Sequence, residues 1–310
     1  SAASDVYKRQ IYILYNPDKD DESGVLPGLT EYIHSHGGQS KCMDCYSFSA
    51  LTKQQVSDVL SGCECVIVLG GDGTLLNAAS TASHVDIPLF GINLGTVGFL
   101  TEGEVTNWRE IVDRLMADDF AIQERMMIKG SIKKSGCRPE GSVDAQKESN
   151  IGAARVGTFR KRALNDIVIS RAGFSRLIGL DVYVNGSFLN AYEGDGIIVS
   201  TPTGSTGYNL SAGGPIVDPM ARLMIITPVC PHSLTSKSIV LPSDAKVSIA
   251  IAKKRKTQDT EAIVSFDGGN DYELSAGDVL DICTSQRTTK LIKASDVNFY
   301  EILRNKLGGK

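Results

Sequence analysis

Val66-Ile67-Val68-Leu69-Gly70-Gly71-Asp72-Gly73-Thr74-Leu75-Leu76 decides the fold. Four apolar residues with no polar interruption read as a strand buried on both faces, as strands of a parallel sheet are. Three glycines in the next four positions let the backbone turn tightly, and helix-forming residues follow from about Thr74. Strand, glycine turn and helix in that order open a βα unit.

The pattern repeats on both sides. Ile11-Tyr12-Ile13-Leu14-Tyr15 reads as a strand, followed by a turn at Asn16-Pro17-Asp18 and a helix from about Val25 to His36. A strand at Ser40 to Cys45, a helix at Thr52 to Leu60, a helix at Thr74 to Ser83, a strand at Pro88 to Ile92 and a helix at Val105 to Met116 continue the alternation. Beyond Ala121 the character changes to short strands: Met127 to Ile132, Arg162 to Ile169, Leu177 to Val184, Ile197 to Ser200, Ala245 to Ala252, Ala262 to Phe266 and Val279 to Cys283. With hairpin dipeptides such as Asn185-Gly186, these imply antiparallel pairing. The expected fold class is an α/β N-terminal domain with a parallel sheet, over 11–118, plus an all-β C-terminal domain over 119–295. After a strand at Leu291 to Lys293, an amphipathic helix at about 297–307 is expected to pack back on the first domain. Polar Ser1 to Gln10 is set aside as an upstream remnant, and polar Lys133 to Lys161 reads as a long hairpin loop.

Composition narrows the function. The chain has 310 residues, with 32 Lys and Arg against 36 Asp and Glu, a net charge of -4. That balance lacks the basic footprint that displaces counterions from phosphate backbones, so no nucleic-acid partner is expected. The apolar runs are too short to cross a bilayer, and no apolar stretch follows residue 1 as a secretion signal would, so a cytoplasmic location without a membrane partner is expected. Seven cysteines, an odd number, fit reduced thiols in a chain with its own core. Cys42 and Cys45, followed by Cys63 and Cys65, depart from zinc spacing and read as buried or idle thiols.

The glycine turn is a phosphate cradle: backbone N–H groups approach a ligand and the start of a helix favours an anion. It has neither the GxxxxGK[ST] of a P-loop, so no lysine of its own, nor the GxGxxG of a dinucleotide fold. Asp72 stands out, since a carboxylate beside phosphate repels it unless a cation or a substrate hydroxyl intervenes. It reads as a ligand of Mg²⁺, as a general base working on an attacking hydroxyl, or as a cap on the helix that follows. A second dense block runs from Gly194-Asp195-Gly196 through Thr201-Pro202-Thr203-Gly204-Ser205-Thr206-Gly207-Tyr208-Asn209-Leu210-Ser211 to Gly214, and holds six glycines and six Ser or Thr residues. It offers many small donors and acceptors with little bulk and one aromatic ring, a density beyond that of an ordinary turn-rich β connection. Asn165-Asp166 opens an apolar strand, and Phe99, in Asn93-Leu94-Gly95-Thr96-Val97-Gly98-Phe99, is either a stacking face or core.

GGDGT after a strand, INLGTVGFLTE, LNDIVI and GDGIIVSTPTGSTGYNLSAGGPIVDP together resemble the NAD kinase family, and the last block separates it from lipid kinases and phosphofructokinases with similar glycine loops. The resemblance implies an NAD kinase-like two-domain architecture and transfer of a phosphoryl group from ATP to the 2′-hydroxyl of the adenosine ribose of NAD, giving NADP. It implies that Asp72 takes the proton from that hydroxyl, that Gly71, Gly73 and Thr74 lie beside phosphates, and that Asn165 and Asp166 hold NAD. Asp195 would face the nicotinamide end. Thr203, Thr206, Gly207, Tyr208 and Ser211 would surround adenine and ribose, with Phe99 lining the pocket. Gly207 stands where many members carry Ala. Mg²⁺, or another divalent metal, would arrive with ATP, and the assembly would be a homodimer or homotetramer. The rival readings are a diacylglycerol-type lipid kinase, disfavoured by the hydroxyl-rich block, and a catalytically silent NAD-binding sensor, disfavoured by the presence of Asp72.

Overall fold

The computed structural model describes residues 9–95, 98–135, 159–172, 177–233, 236–252 and 261–308. Most of the polar stretch expected as a hairpin loop, residues 136–158, lies outside the described residues, as do residues 1–8 and Thr96 and Val97. The chain divides into two compact units, Ser1–Met126 with Arg287–Lys310, and Met127–Gln286.

The first unit is an α/β layer. It contains β1 (Gln10–Tyr15), α1 (Pro17–Ser23), α2 (Val25–Ser35), β2 (Gln39–Asp44), α3 (Cys45–Ser49), α4 (Lys53–Leu60), β3 (Cys65–Gly70), α5 (Asp72–Ala82), β4 (Leu89–Asn93), β5 (Gly103–Glu104) and α6 (Trp108–Met116). All pairings are parallel, in the order β2-β1-β3-β4, with β5 beside β4. Every residue of β3 and β4 is buried, which the unbroken apolar run of β3 demands. One face of the sheet packs Ile11, Ile13, Ile67, Leu69, Phe90 and Ile92 against Val25, Leu29 and Ile33 of α2 and Trp108, Ile111, Val112 and Leu115 of α6. Burial of this many aliphatic side chains, at about 1.5–3 kcal/mol each, is what holds short helices that would be marginal alone. The turn expected at Asn16-Pro17-Asp18 instead starts a helix. Asn16 caps α1 by accepting from the Asp18 N–H at 3.1 Å, and Pro17 sits at the first helical position, where its missing donor costs nothing.

The second unit is antiparallel. Its chain order is β6 (Ala121–Lys133, from Met127 on), β7 (Phe159–Ala163), β8 (Asp166–Arg171), β9 (Ile178–Val184), β10 (Ser187–Gly194), β11 (Gly196–Ser200), a 3-10 turn Thr203–Thr206, α7 (Tyr208–Ser211), β12 (Leu223–Val229), β13 (Ile239–Pro242), β14 (Lys246–Ile251), β15 (Glu261–Phe266), β16 (Gly269–Ser275) and β17 (Val279–Lys293). One sheet runs β13-β12-β11-β8-β15-β16. The other pairings are β10 with β9, β9 with β14, β14 with β17, and β6 with both β7 and β17. The single strand expected at Arg162 to Ile169 is two strands broken at Leu164-Asn165, because the backbone N–H groups there bond to a side chain rather than to a neighbouring strand. Conversely, the strands expected at Val279 to Cys283 and Leu291 to Lys293 are one, β17, whose last turn of sequence lies in the first unit beside β4.

The chain ends in α8 (Phe299–Leu307), a first-unit helix closed by a capping box between Asn298 and Glu301. Glu102 fixes the approach to it, accepting from Lys293 Nζ at 2.8 Å and from the Ser295 hydroxyl at 2.6 Å. Among the described residues no helix is long and apolar enough to cross a membrane, and Cys42, Cys45, Cys63 and Cys65 are free thiols.

Candidate functional site

In the sheet order β2-β1-β3-β4, the direction of strand succession reverses between β1 and β3. The crevice beyond the carboxyl ends of strands at such a reversal is where open α/β sheets take ligands. The glycine loop leaves β3 at that place. Asp72 is the first residue of α5, whose cap, Gly71, makes no side-chain bond. The Asp72 carboxylate does not cap its own helix. It turns toward the segment after β4, where Oδ2 accepts the Phe99 N–H at 2.7 Å and Oδ1 the Leu100 N–H at 3.2 Å. Gly98 permits this, because a Cβ there would overlap the carboxylate.

Around Asp72 the loop is open. The Gly71 carbonyl accepts from Thr74 and Leu75 at 3.0 and 3.2 Å, while the first N–H groups of α5 have no partner within the helix. Gly73 is exposed, and a Cβ on it would meet nothing within 4 Å. Thr74 is buried instead, and its Oγ1 accepts from Asn16 Nδ2 at 3.4 Å, tying the loop to the start of α1. The Phe99 ring lies 6.3 Å from that of Phe299 in α8, with Lys306 Nζ 4.6 Å from its centroid. The loop has no lysine of its own, and the fold brings one near it: Lys19 Nζ, from α1, lies 3.1 Å from where a Cβ on Gly71 would stand.

The second unit gathers most of the other expected residues into one place. Asn165 and Asp166 form the corner between β7 and β8, and the Asp267 carboxylate holds it, accepting the N–H groups of Leu164, Asn165 and Asp166 at 2.8, 2.7 and 3.1 Å. The Asn165 carbonyl accepts from Thr201 N–H at 2.8 Å, and a Cβ on Gly204 would overlap that carbonyl, so the Thr203–Thr206 turn lies directly on the corner. Gly207 follows, with the position of a Cβ 3.3 Å from Asn165 Nδ2 and 3.8 Å from Asp166 Oδ2. Asn165 Oδ1 and Thr203 Oγ1 are buried without a hydrogen-bond partner among the described residues. Buried acceptors and hydroxyls are rarely left so, and these two lie close together, available to a ligand or to water.

Asp166 is buried, and its carboxyl is pushed up to about 7, by burial first and then by the charge of Asp267. Burial also pushes Asp267 up, to about 6, against the three N–H groups that favour its charged form. Of the remaining residues, Thr206 Oγ1 donates to the Thr203 carbonyl at 3.3 Å, and Tyr208 and Ser211 are exposed along α7. Asp195 pairs with Arg171, Oδ1 to Nε 2.8 Å, and its carbonyl accepts the Arg171 N–H at 3.0 Å. Asn209 is fully buried and pins the block: Nδ2 donates to the carbonyls of Ser205 and Pro215, and Oδ1 accepts from Thr227 at 2.7 Å.

Asp267, Arg171 and Lys19 are supports that sequence reasoning passed over. Asp267-Gly268 is a hairpin dipeptide by composition, but nothing in the sequence aims it at a corner about a hundred positions away. The position of Lys19, just after the strand that borders the reversal, is the one signal that pointed to it.

A parallel α/β unit with a glycine loop at its switch point, in one chain with an antiparallel unit that carries a hydroxyl-lined corner, defines a nucleotide-binding class. The family models narrow it. Residues 27–120 match the ATP-NAD kinase N-terminal domain and residues 164–294 the ATP-NAD kinase C-terminal domain. The NAD kinase of Lachnoclostridium phytofermentans is 40% identical, over 97% of this chain and 100% of the relative. This chain therefore belongs to the NAD kinase family. In fold it is similar to yeast NADH kinase, solved as a complex with NADH (TM-score 0.76, 22% identity, covering 97% of this chain and 88% of that one). It is also similar to an NAD kinase from Archaeoglobus fulgidus solved with ATP (TM-score 0.72, 21% identity, 96% and 98%).

Proposed function

We propose that this protein transfers the terminal phosphoryl group of ATP to the 2′-hydroxyl of the adenosine ribose of NAD, releasing ADP and NADP. Family membership supports the activity. The observation that carries the mechanism is the brace on Asp72, a half-exposed carboxylate fixed by two backbone N–H groups at the head of α5. Phosphoryl transfer asks a protein mainly for positioning and for stabilising charge. Asp72 accepts the proton of the attacking hydroxyl, Gly71 and Gly73 leave room for phosphate oxygens at the N–H groups that open α5, and Thr74 anchors the loop from beneath. Asn165, Asp166, Thr203, Thr206 and Gly207 hold the acceptor nucleotide, with Tyr208 and Ser211 at its edge. Asp195, fixed by Arg171, serves its nicotinamide end, and Phe99 contributes through the N–H that holds Asp72.

The divalent cation, Mg²⁺ in this reading, is part of the nucleotide substrate. Among the described residues no three His, Cys, Asp or Glu gather as a metal-holding group. A cytoplasmic homodimer or homotetramer belongs to the same proposal and rests on the family resemblance.

The test is direct: purified protein with Mg·ATP and NAD is expected to yield NADP and ADP in equal amounts. Bound NAD with no NADP formed at any enzyme concentration overturns the reading.

A further inference from the structure

Lys19 carries a charge that the mechanism above does not use. β1 and β3 are parallel neighbours, with Tyr15 opposite Leu69, so the chain leaves both at the same edge of the sheet. β4 adds Asn93 opposite Gly70. The start of α1 is bonded to the glycine loop twice: the Asn16 N–H donates to the Leu69 carbonyl at 2.9 Å, and Asn16 Nδ2 reaches Thr74 Oγ1. From this anchored turn the half-buried Lys19 side chain extends over the loop. Its Nζ stands 3.1 Å from the position a Cβ would take on Gly71 and 3.8 Å from that on Gly95. Two glycines, one after β3 and one after β4, thus leave uncovered the space that the ammonium faces.

The surrounding acids are turned elsewhere. Asp18 accepts the Tyr46 hydroxyl at 2.5 Å, the buried Asp20 accepts the Leu26 N–H at 3.1 Å, and Asp72 accepts from Phe99 and Leu100. The Lys19 N–H donates to the Asn16 carbonyl at 3.2 Å, while the described residues give its ammonium no hydrogen bond and no ion pair. Its ammonium also faces the start of α5, which carries the positive end of the helix dipole. Two positive features held together with no carboxylate between them repel, and an anion between them reverses the sign of the arrangement.

We propose that Lys19 is a phosphate-binding residue of the reaction, its Nζ donating to oxygens of the donor's phosphoryl groups on the side opposite the glycine-loop N–H groups. It plays the part that the lysine of a P-loop plays, supplied here from the loop after the neighbouring strand. In the transfer the bond from the terminal phosphorus to the ADP oxygen breaks and a bond to the ribose oxygen forms. The hydroxyl proton passes to Asp72, and Lys19 stays protonated throughout. The role rests on the kinase reading above, and the experiment separates the two.

Equilibrium titration of the full chain with ATP, ADP and adenosine, with Mg²⁺ and with chelator, is run on wild type, Lys19→Ala, Lys19→Gln and Lys19→Arg. Loss of a hydrogen bond to a charged group predicts that Lys19→Ala and Lys19→Gln weaken ATP about 10-fold to 100-fold and leave adenosine unchanged, with Lys19→Arg recovering most of the loss. In steady state, kcat/KM for ATP should fall about 100-fold while KM for NAD moves less than about 2-fold. Unchanged ATP affinity in Lys19→Ala, or an equal loss for adenosine, overturns the assignment. If wild type binds ATP but forms no NADP, the kinase reading fails, and the ATP titration still decides for or against Lys19. Should Lys19→Ala not fold, Lys19→Gln and Lys19→Arg answer the same question.

Discussion

Asp72 and Asp166 each begin a regular element beside glycines, and their surroundings are opposite. Asp72 is half-exposed, has no second carboxylate against it, and is fixed by two backbone N–H groups from one short segment. Asp166 is buried next to Asp267, and burial raises both carboxyls toward neutrality, with the charge of Asp267 adding to the shift of Asp166. Identical side chains are sorted into different work by what lies within 4 Å. A braced, solvent-reached carboxylate suits taking a proton from a hydroxyl. A buried one held toward its neutral acid offers both a donor and an acceptor, which suits gripping a ribose.

The contrast is broken most forcefully at Asp72. Asp72→Asn keeps the shape and the acceptor for one of the two N–H groups but cannot take a proton, so kcat for NADP formation should fall about 10²-fold to 10⁴-fold with NAD affinity within a few-fold of wild type. Gly98→Ala attacks the same group through its position, since the added methyl must push the carboxylate off its two donors. Displacement on the order of 1 Å predicts a loss of about 10²-fold in kcat. Steady-state kinetics beside a thermal unfolding scan check both. If Asp72→Asn is as active as wild type, the carboxylate is an anchor for the 98–100 segment and nothing more.

That prediction also shows where the sequence was informative. The strand, glycine loop and helix at 66–76 were legible because period, composition and turn chemistry all agree there. The corner at Leu164-Asn165 was not. Arg162 to Ile169 has apolar residues on both sides of Asn165-Asp166 and passes for one strand, and the interruption comes from Asp267, whose carboxylate takes three N–H groups that strand pairing would otherwise use. The same holds for Gly98. Its position in a glycine-rich run was visible, but the reason for it, clearance for a carboxylate 26 positions earlier, exists only after β3 and β4 pair. Local chemistry writes loops into sequence, and long-range support is written only in the fold.

The second region is tested more gently at its unpartnered atoms. Asn165 Oδ1 and Thr203 Oγ1 have no hydrogen bond among the described residues, so Asn165→Ala and Thr203→Ala remove groups that the proposed reading gives to NAD. Each should raise KM for NAD about 10-fold, the size of one ordinary hydrogen bond, with KM for ATP unchanged. An equal rise in KM for ATP would mean that the corner serves the donor as well, and would remove the division of labour between the two regions.

The finest distinction is in the pH dependence of stability. Free in an unfolded chain, Asp166 would titrate near its ordinary 3.8, and in the fold it does so at about 7. Between those values the folded protein holds a proton that the unfolded chain has released. Stability from this group is therefore complete below about pH 4 and is lost as pH rises through 7. One proton of difference corresponds to at most about 1.4 kcal/mol per pH unit. Asp166→Asn removes that titration, so its unfolding midpoint should change less between pH 4 and 7 than that of wild type, and the ground it gains over that range should hold constant above pH 7. Asp267→Asn should show a smaller flattening: it removes the lesser shift of Asp267 itself, from 3.8 to about 6, while Asp166 stays buried, and burial is the larger cause of its shift. Parallel pH profiles for all three proteins would mean that the Asp166 carboxyl reaches water in solution, and the contrast with Asp72 would then be one of hydrogen-bond geometry alone.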